Sequence, residues 1–230
     1  MNKKILVVAA HPDDEILGCG ATIARHCKEG DSVDILILGE GAASRKLGNS
    51  DSEVQEEISK LRIAGAKAAA LLGANEPTFV GLPDNRLDSI DLLEIVAKVQ
   101  DICESVGPEV IYTHHWADLN VDHRIVCSAV MTAARPLPGS EVTSIYSFEV
   151  LSSSGWQFAL GESFDPNYFV DVSETLEDKQ NALECYSSEM RDFPHARSHI
   201  AIEALAKYRG ALTGVEAAEA FVMIRQLVSK

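Results

Sequence analysis

The chain has no C-x-x-C pair and an odd number of cysteines: Cys19, Cys27, Cys103, Cys127 and Cys185 lie far apart in 230 residues. A disulfide framework or a thiolate zinc knot needs paired, closely spaced thiols, so neither is expected, and scattered reduced thiols suit a cytoplasmic protein. Positive charge is scarce as well. Twenty Lys and Arg stand against 35 Asp and Glu, a formal net charge of −15. No basic face is left to displace counterions from a nucleic acid or an anionic membrane. The opening MNKKILVVAAHPDDE turns acidic where a leader would carry a small-residue cleavage site. No stretch approaches the roughly 20 apolar residues of a membrane span. The expectation is a cytoplasmic protein with no nucleic-acid partner and no stable membrane insertion; composition leaves a homo-oligomer open.

Two glycine signatures are also missing. Gly18-Cys19-Gly20 begins a G-x-G, but Ile23 stands at the third glycine, and the acidic turn before it would repel a pyrophosphate. G-x-S-x-G does not occur, which excludes the nucleophile elbow of a serine hydrolase.

What is present is an alternation of short β-rich runs and longer helical patterns. Strands are expected at 4–10, 32–38, 77–80, 110–113 and 144–150. Helices are expected at 16–29 (closed by Gly30), through a long segment ending at Leu72 before Gly73, at 91–106 before Gly107-Pro108, and at 121–134 before Pro136. Beyond residue 140 the pattern loosens: 172–190 and 198–209 read as helices, and 221–228 as either helix or strand. The fold class expected is α/β, a single domain over 1–230, with a doubly wound, Rossmann-like, mostly parallel sheet and helices on both faces. Ligands of such sheets bind beyond the carboxyl ends of the strands, where the strand order reverses.

Two polar clusters fall on that edge. His11-Pro12-Asp13-Asp14-Glu15 crowds three carboxylates and an imidazole at the end of the first strand, where like charges raise each other's pKa. Helix capping explains one carboxylate, or two, but not the histidine as well. A divalent cation explains all of them, because its charge makes crowded carboxylates stabilising. His11 and Asp14, three apart across a turn, are the expected ligands there. The stretch THHWADLNVDHR supplies a third, His123, preceded by Asp122 at the start of a helix. Imidazole and carboxylate donors suit Zn2+, and also Fe2+, Co2+ or Mn2+. Asp13, beside ligand Asp14, is placed to take a proton from a water that the ion has acidified.

AHPDDE after a first strand, with DLNVDHR downstream, resembles the PIG-L/LmbE-like deacetylases. Weaker similarity extends through LPDNRLD and AEAF over nearly the whole chain. The resemblance implies a metal-dependent hydrolase that removes the acetyl group from an N-acetylated amino sugar or glycoconjugate. It implies His11, Asp14 and His123 as ligands and Asp13 as general base. One departure matters: many members carry a histidine three positions before the last ligand, and here that position is Asn120. An amide donates a hydrogen bond but carries no charge. The expected catalytic set is therefore Asp13, Asn120, Asp122 and His115, the last favoured over its neighbours for the missing charge. His114, Asp118, Arg45 and Arg86 are expected to contact a small N-acetylated sugar. The rival readings are another metal-dependent hydrolase, such as a phosphoesterase, and a non-catalytic sugar-binding protein.

Overall fold

The structure is a computed structural model that describes residues 2–42, 50–158 and 162–228. Its elements are β1 (Lys4–Ala9), α1 (Asp14–Glu29), β2 (Ser32–Gly39), α2 (Asp51–Leu72), β3 (Thr78–Leu82), α3 (Leu92–Val106), β4 (Val110–His114), α4 (Val121–Ala133), β5 (Ser144–Phe148), β6 (Tyr168–Asp171), α5 (Leu176–Cys185), α6 (His199–Thr213) and β7 (Ala218–Gln226). The seven described strands form one sheet in the order β3-β2-β1-β4-β5-β7-β6. The first five run parallel, whereas β7 is antiparallel to both β5 and β6.

β1 shows why the parallel part forms. Its side chains alternate between two cores: Ile5, Val7 and Ala9 face α1, α2 and α5, while Leu6, Val8 and Ala10 face α3 and α4. A strand buried on both faces reads as a continuous apolar run, as ILVVAA does. Helix ends follow the expected chemistry. Gly30 and Gly73 close α1 and α2 in the left-handed region at φ 91° and 83°. Ser50 and Glu53 form a reciprocal capping box at the start of α2.

The C-terminal third departs from expectation. The helix expected over 172–190 is only Leu176–Cys185, and the four-residue strand β6 precedes it. The ambiguous segment near 221 is strand β7, which pairs on both sides. Four residues at a sheet edge carry too little periodicity to be told from a loop, and their pairing partner lies some 50 residues on.

Helix α1 is broken at Cys19, whose φ of −147° is not helical. The groups that the break frees are satisfied from afar. Ala21 N and Thr22 N donate to the Glu219 carboxylate (3.2 and 2.7 Å), and Lys179 Nζ donates to Leu17 O (2.8 Å) and to Glu219 (2.6 Å). A buried ion pair on α5 and β7 thus caps the second half of α1. The first half turns independently, and it carries Asp14.

Chain order reverses between β1 and β4: the chain runs outward through β2 and β3, then returns to β4 on the other side of β1. The loops after β1 and β4 meet at this switch point.

Candidate active site

Gly39, at the end of β2, opens the space for His11. A Cβ there would lie 2.8 Å from the Ala10 carbonyl oxygen and 3.2 Å from His11 Cδ2. Asp13 takes φ 108°, a strained value for a residue with a side chain, while its carbonyl starts α1 by accepting from Ile16 N and Leu17 N. Asp14 folds back and accepts from His11 N through Oδ2 (3.0 Å).

Around Asp14 Oδ2 two histidines converge. His11 Nδ1 and His123 Nε2 each lie 3.2 Å away, so His11, Asp14 and His123 offer three donor atoms within 4.8 Å of one another, all buried. The far nitrogen of each ring is held by a second carboxylate: His11 Nε2 by Asp122 Oδ2 (2.9 Å) and His123 Nδ1 by Asp118 Oδ2 (2.8 Å). Those carboxylates are fixed in turn. Asp122 Oδ1 accepts from Leu87 N (3.0 Å), and Asp118 Oδ1 accepts from Ser154 Oγ (2.6 Å). A carboxylate behind each imidazole sets the tautomer that presents a lone pair at the other nitrogen, the usual support of a metal-binding histidine.

The electrostatics point the same way. Burial depresses the His11 pKa, but hydrogen bonds from Asp122 and Asp14, with the charges of Asp14 and Asp84, push it up to about 10. Burial likewise works against His123, and Asp14 and Asp118 outweigh it and raise its pKa. Burial would raise Asp14, yet the histidines around it hold it well below the ordinary carboxylate range. The cluster calls for positive charge between its carboxylates, which protons on His11 and His123 can meet and a divalent cation can meet in their place. Asp14 Oδ1, buried and without a hydrogen bond, leaves a second oxygen open on the same side chain. The residues fit a divalent metal.

Other expected residues sit elsewhere than the sequence suggests. His114 is fully buried; its Nε2 accepts from Ala10 N (2.8 Å), and its ring stacks on His123 at 3.8 Å. Burial, then the neighbouring His123, keep it neutral. Asp118 is equally enclosed, with each oxygen engaged behind His123. His114 and Asp118, expected to contact substrate, are thus both enclosed against His123. Asp122, expected in the catalytic set, has both oxygens engaged, one by His11 and one by the backbone N–H of Leu87.

Asn120 is the N-cap of α4. Its Oδ1 accepts from Asp122 N (2.8 Å) and its Nδ2 donates to Asn85 Oδ1 (3.1 Å), which leaves one N–H for any other partner. His115 is buried against Trp116 and Phe164. Burial lowers its pKa against smaller pulls from Asp118 and Glu162, so it is neutral at pH 7 and does not supply the missing charge. Arg86 is exposed beside the Leu87–Ser89 turn. Arg45 lies outside the described residues.

A positive charge arrives from the loop between α5 and α6, which the sequence did not single out. Arg197 Nη1 lies 2.6 Å from Asp13 Oδ2 and 3.1 Å from Glu189 Oε2. Glu15, the third acid of HPDDE, accepts from Tyr186 Oη (2.6 Å) and from Asp13 N (3.1 Å), and burial raises its pKa to about 8. Asp84, from LPDNRLD, reaches His11 Nε2 at 3.3 Å. The density of ionisable residues in FPHARSH, just ahead of a capping serine, was the one signal that pointed to Arg197.

Residues 6–134 match the family described as PIG-L: GlcNAc-PI de-N-acetylase. A Bacillus cereus protein named "Probable N-acetyl-alpha-D-glucosaminyl L-malate deacetylase 2" is 27% identical over 202 residues, covering 86% of this chain and 90% of that one. The 4-oxalmesaconate hydratase of Pseudomonas putida is 26% identical over 201 residues, covering 81% and 74%. Among solved structures, N,N'-diacetylchitobiose deacetylase from Pyrococcus horikoshii superposes with a TM-score of 0.79 at 20% identity, covering 97% of this chain and 84% of that one, which supports the fold.

Proposed function

The chain belongs to the PIG-L: GlcNAc-PI de-N-acetylase family, and from that premise we propose that it is a metal-dependent N-deacetylase that removes the acetyl group from a small N-acetylated amino sugar or glycoconjugate, working as one domain. The observation that carries the reading is the pair of buried histidines, each backed by a carboxylate, converging on Asp14 beside Asp13. His11, Asp14 and His123 would hold the metal; Asp122 and Asp118 orient the two rings. Zinc is the assignment the donor set favours, with Fe2+ also suited to two imidazoles and one carboxylate. When bound, the ion supplies a Lewis acid for the acetamide carbonyl and acidifies a water.

The chain's own residues do the rest. Asp13 accepts a proton from the attacking water and returns it to the departing nitrogen, so that amide and water become amine and acetate. Such proton transfer contributes about 10²–10⁴-fold in rate. Arg86 is placed on the loop that also delivers Asp84 and Asn85, and we assign it to substrate hydroxyls at the mouth. Among the described residues no helix is long and apolar enough to cross a membrane.

The test is acetate release from N-acetylglucosaminyl malate, diacetylchitobiose and N-acetylglucosamine by protein stripped with chelator and reloaded with Zn2+ or Fe2+. Release that requires metal supports the proposal. The hydratase relative is similar at the same level of identity, so hydration of 4-oxalmesaconate is measured in parallel. Hydration without acetate release would overturn the deacetylase reading, and so would turnover of phosphomonoesters alone.

A further inference from the structure

We propose that Arg197 is a positioning residue for hydrolysis, the fixed cation that acts through Asp13 in an otherwise acidic site; the proposal rests on the deacetylase reading above. Arg197 stands on the loop between α5 and α6. Its side chain, 18% exposed, bridges Asp13 and Glu189, which are 2% and 6% exposed. Its Nε donates to Ser152 Oγ (3.2 Å). The backbone beneath it is pinned as well: Arg197 N donates to His195 Nδ1 (3.0 Å), Arg191 N donates to Arg197 O (3.2 Å), and Ser198 caps α6 by accepting from Ala201 N (3.1 Å).

A guanidinium held this deeply gives up much of its hydration, which needs paired and well-aligned anions to offset. The charge of Asp13 is the main reason its pKa is raised, with burial opposing, so it is a cation at every working pH. A tether for the loop would need only one surface carboxylate. Here one guanidinium nitrogen, Nη1, meets both the residue assigned as base and a second carboxylate, Glu189.

That placement matters when charge moves. As an O–H bond of water breaks, its proton goes to Asp13, the water oxygen bonds to the carbonyl carbon, and the π pair of the carbonyl shifts onto its oxygen. Asp13 becomes neutral, and the negative charge that Arg197 faced now resides on the substrate. The oxyanion pair then re-forms the carbonyl as the C–N bond breaks with its electron pair going to nitrogen, which takes the proton back from Asp13. The second proton of the attacking water passes from the new carboxylic acid to the amine or to solvent. Acetate and amine leave, and the Asp13–Arg197 pair is restored. A guanidinium fixed on Asp13 Oδ2 holds that carboxylate in one orientation before the reaction, which favours the proton-transfer step rather than ground-state substrate binding.

The test compares Arg197→Ala and Arg197→Lys with wild type for metal content, thermal melting, kcat and KM, each with and without millimolar guanidinium chloride. Arg197→Ala is expected to keep its metal and its melting curve and to lose about 10²–10³-fold in kcat. Its KM should stay within about threefold of wild type. Arg197→Lys should recover part of the rate, since an ammonium keeps the charge without the fork, and guanidinium should speed Arg197→Ala but not wild type. A kcat near wild type would overturn the proposal. So would a loss confined to KM, which would make Arg197 a substrate contact. A rate loss that parallels loss of fold or metal in both variants, with no rescue, would reduce it to a latch. If the wild-type protein releases no acetate, the deacetylase reading falls and this proposal with it; acetate release with an unaffected Arg197→Ala removes this proposal only.

Discussion

The two ends of α1 carry the same residue types in different company. At its start, His11 and Asp14 meet His123 in a buried cluster whose histidines are each backed by a further carboxylate. At its end, His26, Glu29 and Asp31 also bring three donor atoms within 4.8 Å, but in a half-exposed setting where His26 Nδ1 pairs with Asp31 (2.7 Å) and Nε2 with Tyr112 Oη (3.0 Å). Both nitrogens of that ring are already engaged, and Glu29 is engaged by Arg25. Donor spacing is met at both ends. Only the first end withdraws its carboxylates from water and leaves them short of positive charge, and that shortage is what a cation relieves. The break at Cys19, braced by Lys179 and Glu219, lets the two ends point independently.

The comparison is broken most sharply by removing ligands. His11→Ala, Asp14→Ala and His123→Ala should each leave protein that retains no zinc after dialysis and has background activity, measured by elemental analysis and acetate release. Retention of a full equivalent by any one of them would remove that residue from the ligand set. Next in size is Asp13→Asn, which should hold its metal and lose about 10²–10⁴-fold in kcat. If it loses metal instead, the roles of the two neighbouring aspartates are reversed.

A smaller effect belongs to the residues behind the rings. Asp122→Asn and Asp118→Asn should weaken metal affinity by about 10–100-fold, read by competition with a chromophoric chelator. Equal affinity in both variants would mean that the carboxylates serve packing only. Smallest of all, His26→Ala should change neither metal stoichiometry nor activity, at a cost of about 1 kcal/mol in stability for its lost hydrogen bonds. A drop in metal content there would make the far end of α1 a second site.

Much of this was legible before any coordinates. ILVVAA announced a strand buried on both faces, glycines marked the helix ends, and the β-α alternation placed HPDDE and DLNVDHR on one sheet edge. The loops that carry His11, Asp14 and His123 converge because both follow strands at the switch point, a consequence of chain order. β6 was not legible, because four edge residues have no period of their own. The enclosure of His114, Asp118 and Asp122 was not legible for a related reason: a sequence says which residues share a loop, not which stand behind others.

Local pattern by itself therefore determined the parallel sheet and the edge on which HPDDE and DLNVDHR meet, since apolar periodicity and strand–helix alternation act over neighbouring residues. Tertiary structure alone decided that His115 is buried and neutral, that Lys179 and Glu219 cap a broken helix, and that Arg197 lies against Asp13, 184 positions away. Those outcomes depend on burial and on charges brought together from distant segments, and the strength of a charge interaction is set by the surroundings that the finished fold provides.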